Sequence, residues 1–294
     1  MRRRTLIGLA AVAVIPALVL GPAERTGEVL TSAGASSTPL SPSLSRSPSP
    51  GSISSPTPSP DPSRSPTPAA GNPLAGRVIV IDPGHNGGNG AHPEIARKLV
   101  DIGNGRKACD STGTSTNAGY PEHRFTWDLA NRLADLLRGR GATVILTRSG
   151  DDGVGPCITE RAAIGNRARA DLAVSLHADG GPATGRGFHV IAPARVRGNE
   201  AILAPSLRLS THLRAALRAA GEPYATYTGG GRGLTVRSDL GGLNLSRVPK
   251  VFVECANMRN AGDAAHVIDP GWRQRIAVAL ADGMAAHLRA EGTT

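Results

Sequence analysis

From Thr31 to Asn72 the chain is built of Ser, Pro and Thr with almost no large apolar side chain, as in Ser45-Arg46-Ser47-Pro48-Ser49-Pro50. Such a stretch cannot bury enough surface to offset the entropy lost on ordering, so residues 31–72 read as a disordered, partly extended linker outside any core. Everything that folds must fold after it, in residues 73–294. At the polyproline rise the linker would reach ~120 Å. Ahead of it, Arg2, Arg3 and Arg4 precede an apolar run from Leu6 to Leu20 and then Gly21-Pro22-Ala23. Basic, apolar and small residues in that order make a secretory signal, assigned to residues 1–30. Arg3-Arg4-Thr5-Leu6-Ile7 also fits a twin-arginine signal loosely. The run is short for a membrane span and contains Pro16. The expected location is therefore outside the cytoplasm, in the periplasm or cell wall, with transient membrane association through the N-terminal segment.

Charge narrows the partners. Residues 72–294 carry 27 basic and 20 acidic side chains, a net of +7 out of the chain's +10. A basic surface favours polyanions, but only 3% of residues are aromatic and no nucleic-acid motif accompanies the charge. Nucleic acid is thus not an expected partner. An acidic envelope polymer is, and a solvated surface with no particular partner explains the charge equally well. Of three cysteines, Cys109 and Cys157 lie in loop-like sequence while Cys255 ends an apolar run. In an oxidising compartment the first two are expected to pair.

Hydrophobic patterning gives the fold class. Arg77 to Asp82, Thr143 to Thr147, Asp171 to His177, Gly187 to Ile191 and Lys250 to Glu254 read as short buried strands. Helices are expected from Pro121 to about Arg138, Ile158 to Ala168, Ala201 to Ala219 and Pro270 to Leu288, the first from the spacing of Phe125, Leu129, Leu133 and Leu137. The long polar, Gly-rich stretch up to Tyr120 reads as a loop that frames a site. Strands alternating with helices predict an α/β fold, a three-layer sandwich with a mostly parallel central sheet flanked by helices.

In such sheets ligands sit beyond the carboxyl ends of the strands. His85, after Asp82-Pro83-Gly84, and His177, after Ser175-Leu176, fall at such ends, as does Glu254 after Val253. Glu122 falls in the first turn of a helix. Two imidazoles and a carboxylate are what a catalytic zinc site takes from a protein, and a further carboxylate can then handle protons. His85, Glu122 and His177 are the candidate ligands and Glu254 the candidate base. Each has a plain alternative: a surface turn for His85, a hydrogen-bonded core histidine for His177, a favourable helix-dipole position for Glu122. His123 competes with Glu122, since the two project about 100° apart and cannot both face one metal easily.

Val80-Ile81-Asp82-Pro83-Gly84-His85, Glu122 with its amphipathic helix, Leu146-Thr147-Arg148, Arg161, Ser175-Leu176-His177-Ala178-Asp179 and Phe252-Val253-Glu254 together resemble the zinc-dependent N-acetylmuramoyl-L-alanine amidases of the amidase type 3 family, in particular the mycobacterial-type members. The resemblance spans Gly76 to Leu288. It implies Zn2+ held by His85, Glu122 and His177, with Glu254 as catalytic carboxylate, and it is what selects Glu122 over His123. It also supports a Cys109–Cys157 disulfide. Many members have Asn where this chain has Asp179, which leaves the local hydrogen bonding open. The implied substrate is peptidoglycan, cut at the amide between N-acetylmuramic acid and L-alanine by a monomeric enzyme. A peptidoglycan-binding protein with little activity, and another zinc hydrolase such as a carboxypeptidase acting on the stem, are the rival readings.

Overall fold

The computed structural model describes residues 72–292. The expected signal, and all of the expected linker but its last residue, lie outside the described residues. The first strand, β1 (Val78–Pro83), leads into the polar stretch, which is not a plain loop. It carries a one-turn helix α1 (Pro93–Ala96) and an antiparallel hairpin of β2 (Leu99–Asp101) and β3 (Arg106–Ala108). These strands are three residues long and none of their residues is buried, so no apolar alternation marks them. Next come α2 (Glu122–Gly139), β4 (Thr143–Leu146), α3 (Ile158–Ala168), β5 (Leu172–Asp179), β6 (His189–Pro193) and α4 (Leu203–Ala219). The chain continues through β7 (Leu234–Arg237), the single turn α5 (Gly241–Asn244), β8 (Lys250–Asn257), α6 (Ala261–Ile268) and α7 (Pro270–Glu291).

Six strands form one sheet in the order β4-β1-β5-β8-β6-β7. Every neighbouring pair is parallel except β6 with β8. The expected three-layer α/β architecture is therefore present. Side-chain alternation divides the strands between two unequal layers. Ile79, Ile81, Leu172, Val174, Leu176, Val251 and Val253 join Phe125, Leu129 and Leu133 of α2 and Trp272, Ile276 and Leu280 of α7 in the main apolar core. Truncating one of these leucines to alanine costs about 2–5 kcal/mol. On the opposite face Val80 and Ala173 pack with Val248 and with Ile164 of α3 in a much smaller cluster. Because both faces are covered, the strands read as continuous apolar runs. Helix α7 starts where Asp269 accepts hydrogen bonds from the Gly271 and Trp272 N–H groups and Pro270 takes the first helical position, two favourable N-terminal devices together.

Three strands run two or more residues further than expected, β6 among them, which spans His189–Pro193 in place of Gly187 to Ile191. β5 continues two residues past His177, to Asp179, and β8 three past Glu254, to Asn257. The polar residues near the ends of β5 and β8 are sheltered at the sheet's margin, so apolar content stops before pairing does. Among the described residues no helix is long and apolar enough to cross a membrane.

Candidate functional site

His85, Glu122 and His177 come together from β1, α2 and β5, with one ligand-type atom from each within 4.8 Å of the others. His85 leaves the end of β1 with φ of 59°, in the left-handed region that non-glycine residues seldom occupy. Two glycines make room for the trio. A Cβ on Gly84 would stand 2.2 Å from His177 Cε1, and one on Gly113 would stand 2.6 Å from both Glu122 Oε2 and His85 Cδ2. The Glu122 carboxylate lies between the imidazoles, Oε2 at 3.2 Å from His85 Nε2 and Oε1 at 2.9 Å from His177 Nδ1. The backbone N–H groups of Thr114 and Ala178 also donate to it, at 2.8 and 3.1 Å.

This donor set fits zinc. Ligand bonds of about 2.0–2.1 Å in a tetrahedron put neighbouring donor atoms roughly 3.3 Å apart, close to the His85–Glu122 separation. The outer partners fit as well. His85 Nδ1 donates towards Asp110 Oδ1 at 3.2 Å and the Ser111 carbonyl at 3.1 Å, which holds a proton there and leaves Nε2 as the nitrogen that would face a metal, as in carboxylate–histidine–metal arrangements. Burial works against a charged His85, but the Glu122 and Asp110 carboxylates outweigh it and raise its pKa to about 10. For Glu122 burial raises the pKa, and the two imidazoles more than reverse this and hold the carboxyl well below the usual range.

Beneath the trio lies a buried charged network. Asp110 Oδ2 accepts from Arg161 Nη2 at 2.9 Å, and Arg161 Nη1 donates to Asp82 Oδ1 at 2.9 Å. Asp82 Oδ2 accepts from Lys250 Nζ at 3.0 Å and from Ser175 Oγ at 2.6 Å, and its Oδ1 from Thr147 Oγ1 at 2.7 Å. Arg161 also donates to the carbonyls of Pro83 and His85, so the turn carrying His85 is held by the same guanidinium. A Cys109–Cys157 disulfide, the pair expected, anchors the residue next to Asp110. Asp110 and Lys250 were not anticipated. The cysteine beside Asp110 and a lysine at the head of an apolar strand are the only local signals either leaves.

Glu254 stands in register with His177 across the β5–β8 pairing and with His189 across β6–β8. It is partly buried, and its shielded Oε2 has no hydrogen-bond partner among the described residues. Burial, reinforced by the negative charges of Glu122 and Asp179, pushes its pKa well above the ordinary carboxylate value. A carboxyl so placed can hold a proton and release it. Asp179 is accounted for by His189, whose Nε2 is 3.3 Å from Asp179 Oδ2. His123 stays apart from the trio: its Nδ1 lies 2.9 and 3.0 Å from the Asp151 carboxylate oxygens, and Arg148 Nη1 reaches Asp151 at 2.9 Å.

Two hollows border the site. One is a cavity of about 190 Å3 running from His85 and His177 to Ile158, Leu240 and Phe252; the Phe252 ring stacks on His177 at 4.9 Å. The other is a polar groove of about 420 Å3 lined by Gly113, Thr114, Ser115, His123 and Arg259.

Residues 79–286 match the family model described as Amidase_3, N-acetylmuramoyl-L-alanine amidase. Among curated proteins the chain is 46% identical over 219 residues to N-acetylmuramoyl-L-alanine amidase Rv3717 of Mycobacterium tuberculosis, covering 74% of this chain and 89% of that one. The crystal structure of the N-acetylmuramyl-L-alanine amidase Ami1 from Mycobacterium smegmatis superposes with a TM-score of 0.70 at 43% identity, covering 74% of this chain and 99% of that one. The apo form of Ami1 from Mycobacterium abscessus gives 0.69 at 45% identity, covering 73% and 100%.

Proposed function

Because the chain belongs to the N-acetylmuramoyl-L-alanine amidase family, we propose that it is a zinc-dependent peptidoglycan hydrolase cleaving the amide between N-acetylmuramic acid and the L-alanine of the stem peptide. The observation that carries the zinc and the chemistry is the His85–Glu122–His177 trio with Glu254 beside it in the sheet. Held by the trio, zinc would supply Lewis acidity at the scissile carbonyl.

The remaining roles belong to the chain. Asp110 keeps the His85 proton on Nδ1, and Arg161 holds both Asp110 and the turn bearing His85. Gly84 and Gly113 allow the trio its close spacing. Glu254, with an unpartnered oxygen and a raised proton affinity, takes the proton of the attacking water and delivers it to the departing amine of alanine. Residues 1–30 would direct export, 31–72 would tether, and 73–294 would act on the wall from the periplasm or the wall itself.

The test is digestion of purified muropeptides, with and without chelator, read by mass spectrometry. Stem peptides with a free N-terminal alanine should appear, vanish with chelator and return with zinc. Products that keep the lactyl amide but lose carboxyl-terminal residues would instead mark a carboxypeptidase. Retention on insoluble wall material without any release would mark a binding protein.

A further inference from the structure

Arg259 is exposed, yet it is held in place and has no carboxylate partner among the described residues. Asn257, 0% exposed, fixes the backbone: its Oδ1 accepts the Arg259 N–H at 3.1 Å while its Nδ2 donates to the Pro182 and Gly185 carbonyls at 2.8 and 2.7 Å. The guanidinium donates through Nη1 to the Ser115 carbonyl at 3.4 Å and to Asn117 Oδ1 at 3.3 Å. Both acceptors are neutral. Nε and Nη2 make no hydrogen bond among the described residues, so two parallel donors remain, the pattern a carboxylate matches.

Its surroundings give this charge meaning. Arg259 lines the polar groove, and so does Gly113, which abuts Glu122 and His85. The groove therefore opens directly beside the trio. The other ionisable side chain in its lining, His123, is taken up by Asp151. In the cavity lined by His85 and His177 the cations are matched, Lys107 by Asp239 and Arg161 by Asp82 and Asp110.

We propose that the polar groove receives the stem peptide and that Arg259 binds a free carboxylate on the residue that follows the alanine. The proposal rests on the amidase reading above. On the sugar side of the scissile bond the lactyl carboxyl is consumed in the amide and the amino group is acetylated, so that side is neutral. The carboxylates belong to the peptide. An unmatched guanidinium beside the reacting centre therefore selects the peptide for this groove, and leaves the cavity of Phe252 and Ile158 for the lactyl and acetyl methyl groups. Arg259 acts on binding and not on the reacting atoms.

The test compares zinc-loaded enzyme on two muropeptides differing only in whether the residue after alanine carries a free α-carboxylate or its amide. Calorimetric binding of the two corresponding free dipeptides is measured in parallel. The free acid should have a KM about 10-fold lower than the amide, as expected for one charge-assisted pair. Arg259→Gln should raise the KM of the acid to that of the amide with kcat unchanged, and Arg259→Lys should restore part of the difference. The acid dipeptide should bind the wild type about 10-fold more tightly than it binds Arg259→Gln. Equal KM for acid and amide in the wild type, or the same ratio in Arg259→Gln, overturns the proposal while leaving the amidase reading intact. An Arg259→Gln change in KM of equal size for both substrates also overturns it. Conversely, dipeptide discrimination lost in Arg259→Gln, in a protein that cleaves neither muropeptide, supports the groove assignment and sinks the amidase reading.

Discussion

His177 and Glu254 stand directly opposite each other on neighbouring parallel strands, in register and on the same face of the sheet. The sheet itself thus sets the distance between the imidazole proposed to hold zinc and the carboxyl proposed to carry the proton. Glu254→Gln should keep bound zinc, as read by elemental analysis, while turnover falls by about 10^2 to 10^4, the usual worth of a positioned acid–base group. His177→Ala should lose both metal and turnover. Normal cleavage by Glu254→Gln would remove Glu254 from the proposed mechanism.

Metal uptake should depend steeply on pH. The metal-free His85 is protonated up to a pKa of about 10, and zinc needs its lone pair. Each binding event must therefore release that proton, and apparent affinity should rise about tenfold per pH unit across neutral pH. Calorimetry in buffers of different ionisation enthalpy would count the proton. A pH-independent affinity between pH 6 and 8 would contradict the geometry around Glu122.

Gly84→Ala tests the spacing of the trio. Its Cβ would fall 2.2 Å from His177 Cε1, so the imidazole must swing away. Zinc affinity should drop about 10- to 100-fold, comparable with losing an outer-shell partner, while circular dichroism shows the fold retained. Unchanged affinity would mean that His177 does not need its present position.

Asp82 should tie stability to acid pH. Burial raises its pKa, but the Lys250 and Arg161 charges and two hydroxyl donors reverse this and hold it well below the ordinary value. Its folded pKa therefore lies under its unfolded one. The stabilisation is complete above the unfolded carboxylate pKa near 4 and is lost as pH falls through the folded value. Asp82→Asn leaves the buried Lys250 without a carboxylate and Arg161 with Asp110 alone, and should cost about 3–5 kcal/mol in urea unfolding at neutral pH. A loss below about 1 kcal/mol would mean that the network relaxes to absorb the change.

Much of this molecule can be read from its sequence, for local reasons. β1, β5 and β8 are buried on both faces, so their apolar runs are unbroken, and Phe125, Leu129, Leu133 and Leu137 repeat at the spacing of one helix face. The β2–β3 hairpin escapes notice because none of its strand residues is buried. It is held from a distance instead, by Lys107 Nζ on Asp239 and by Asn244 Nδ2 on the Ile102 carbonyl. Helix α6 is signalled only by Asn260, whose side chain accepts from the Gly262 and Asp263 N–H groups. The members of the trio stand out in the sequence, His85 after the Pro83-Gly84 turn, Glu122 at a helix start and His177 at the close of an apolar run. Lys250 meets Asp82 across 168 positions, and Arg259 meets Ser115 across 144. No local pattern encodes such meetings.

The unequal layers of the sheet separate two kinds of evolutionary risk. Changes in Leu129, Leu133, Trp272 or Ile276 act on the thick apolar layer and are paid in folding. Changes in Asp82, Arg161 or Lys250 strike the thin layer, where the polar network underlies the trio. Drift in α4 and α7 can thus be absorbed or repaired by repacking while the trio stays put, and a thermostable variant could be sought in those two helices alone.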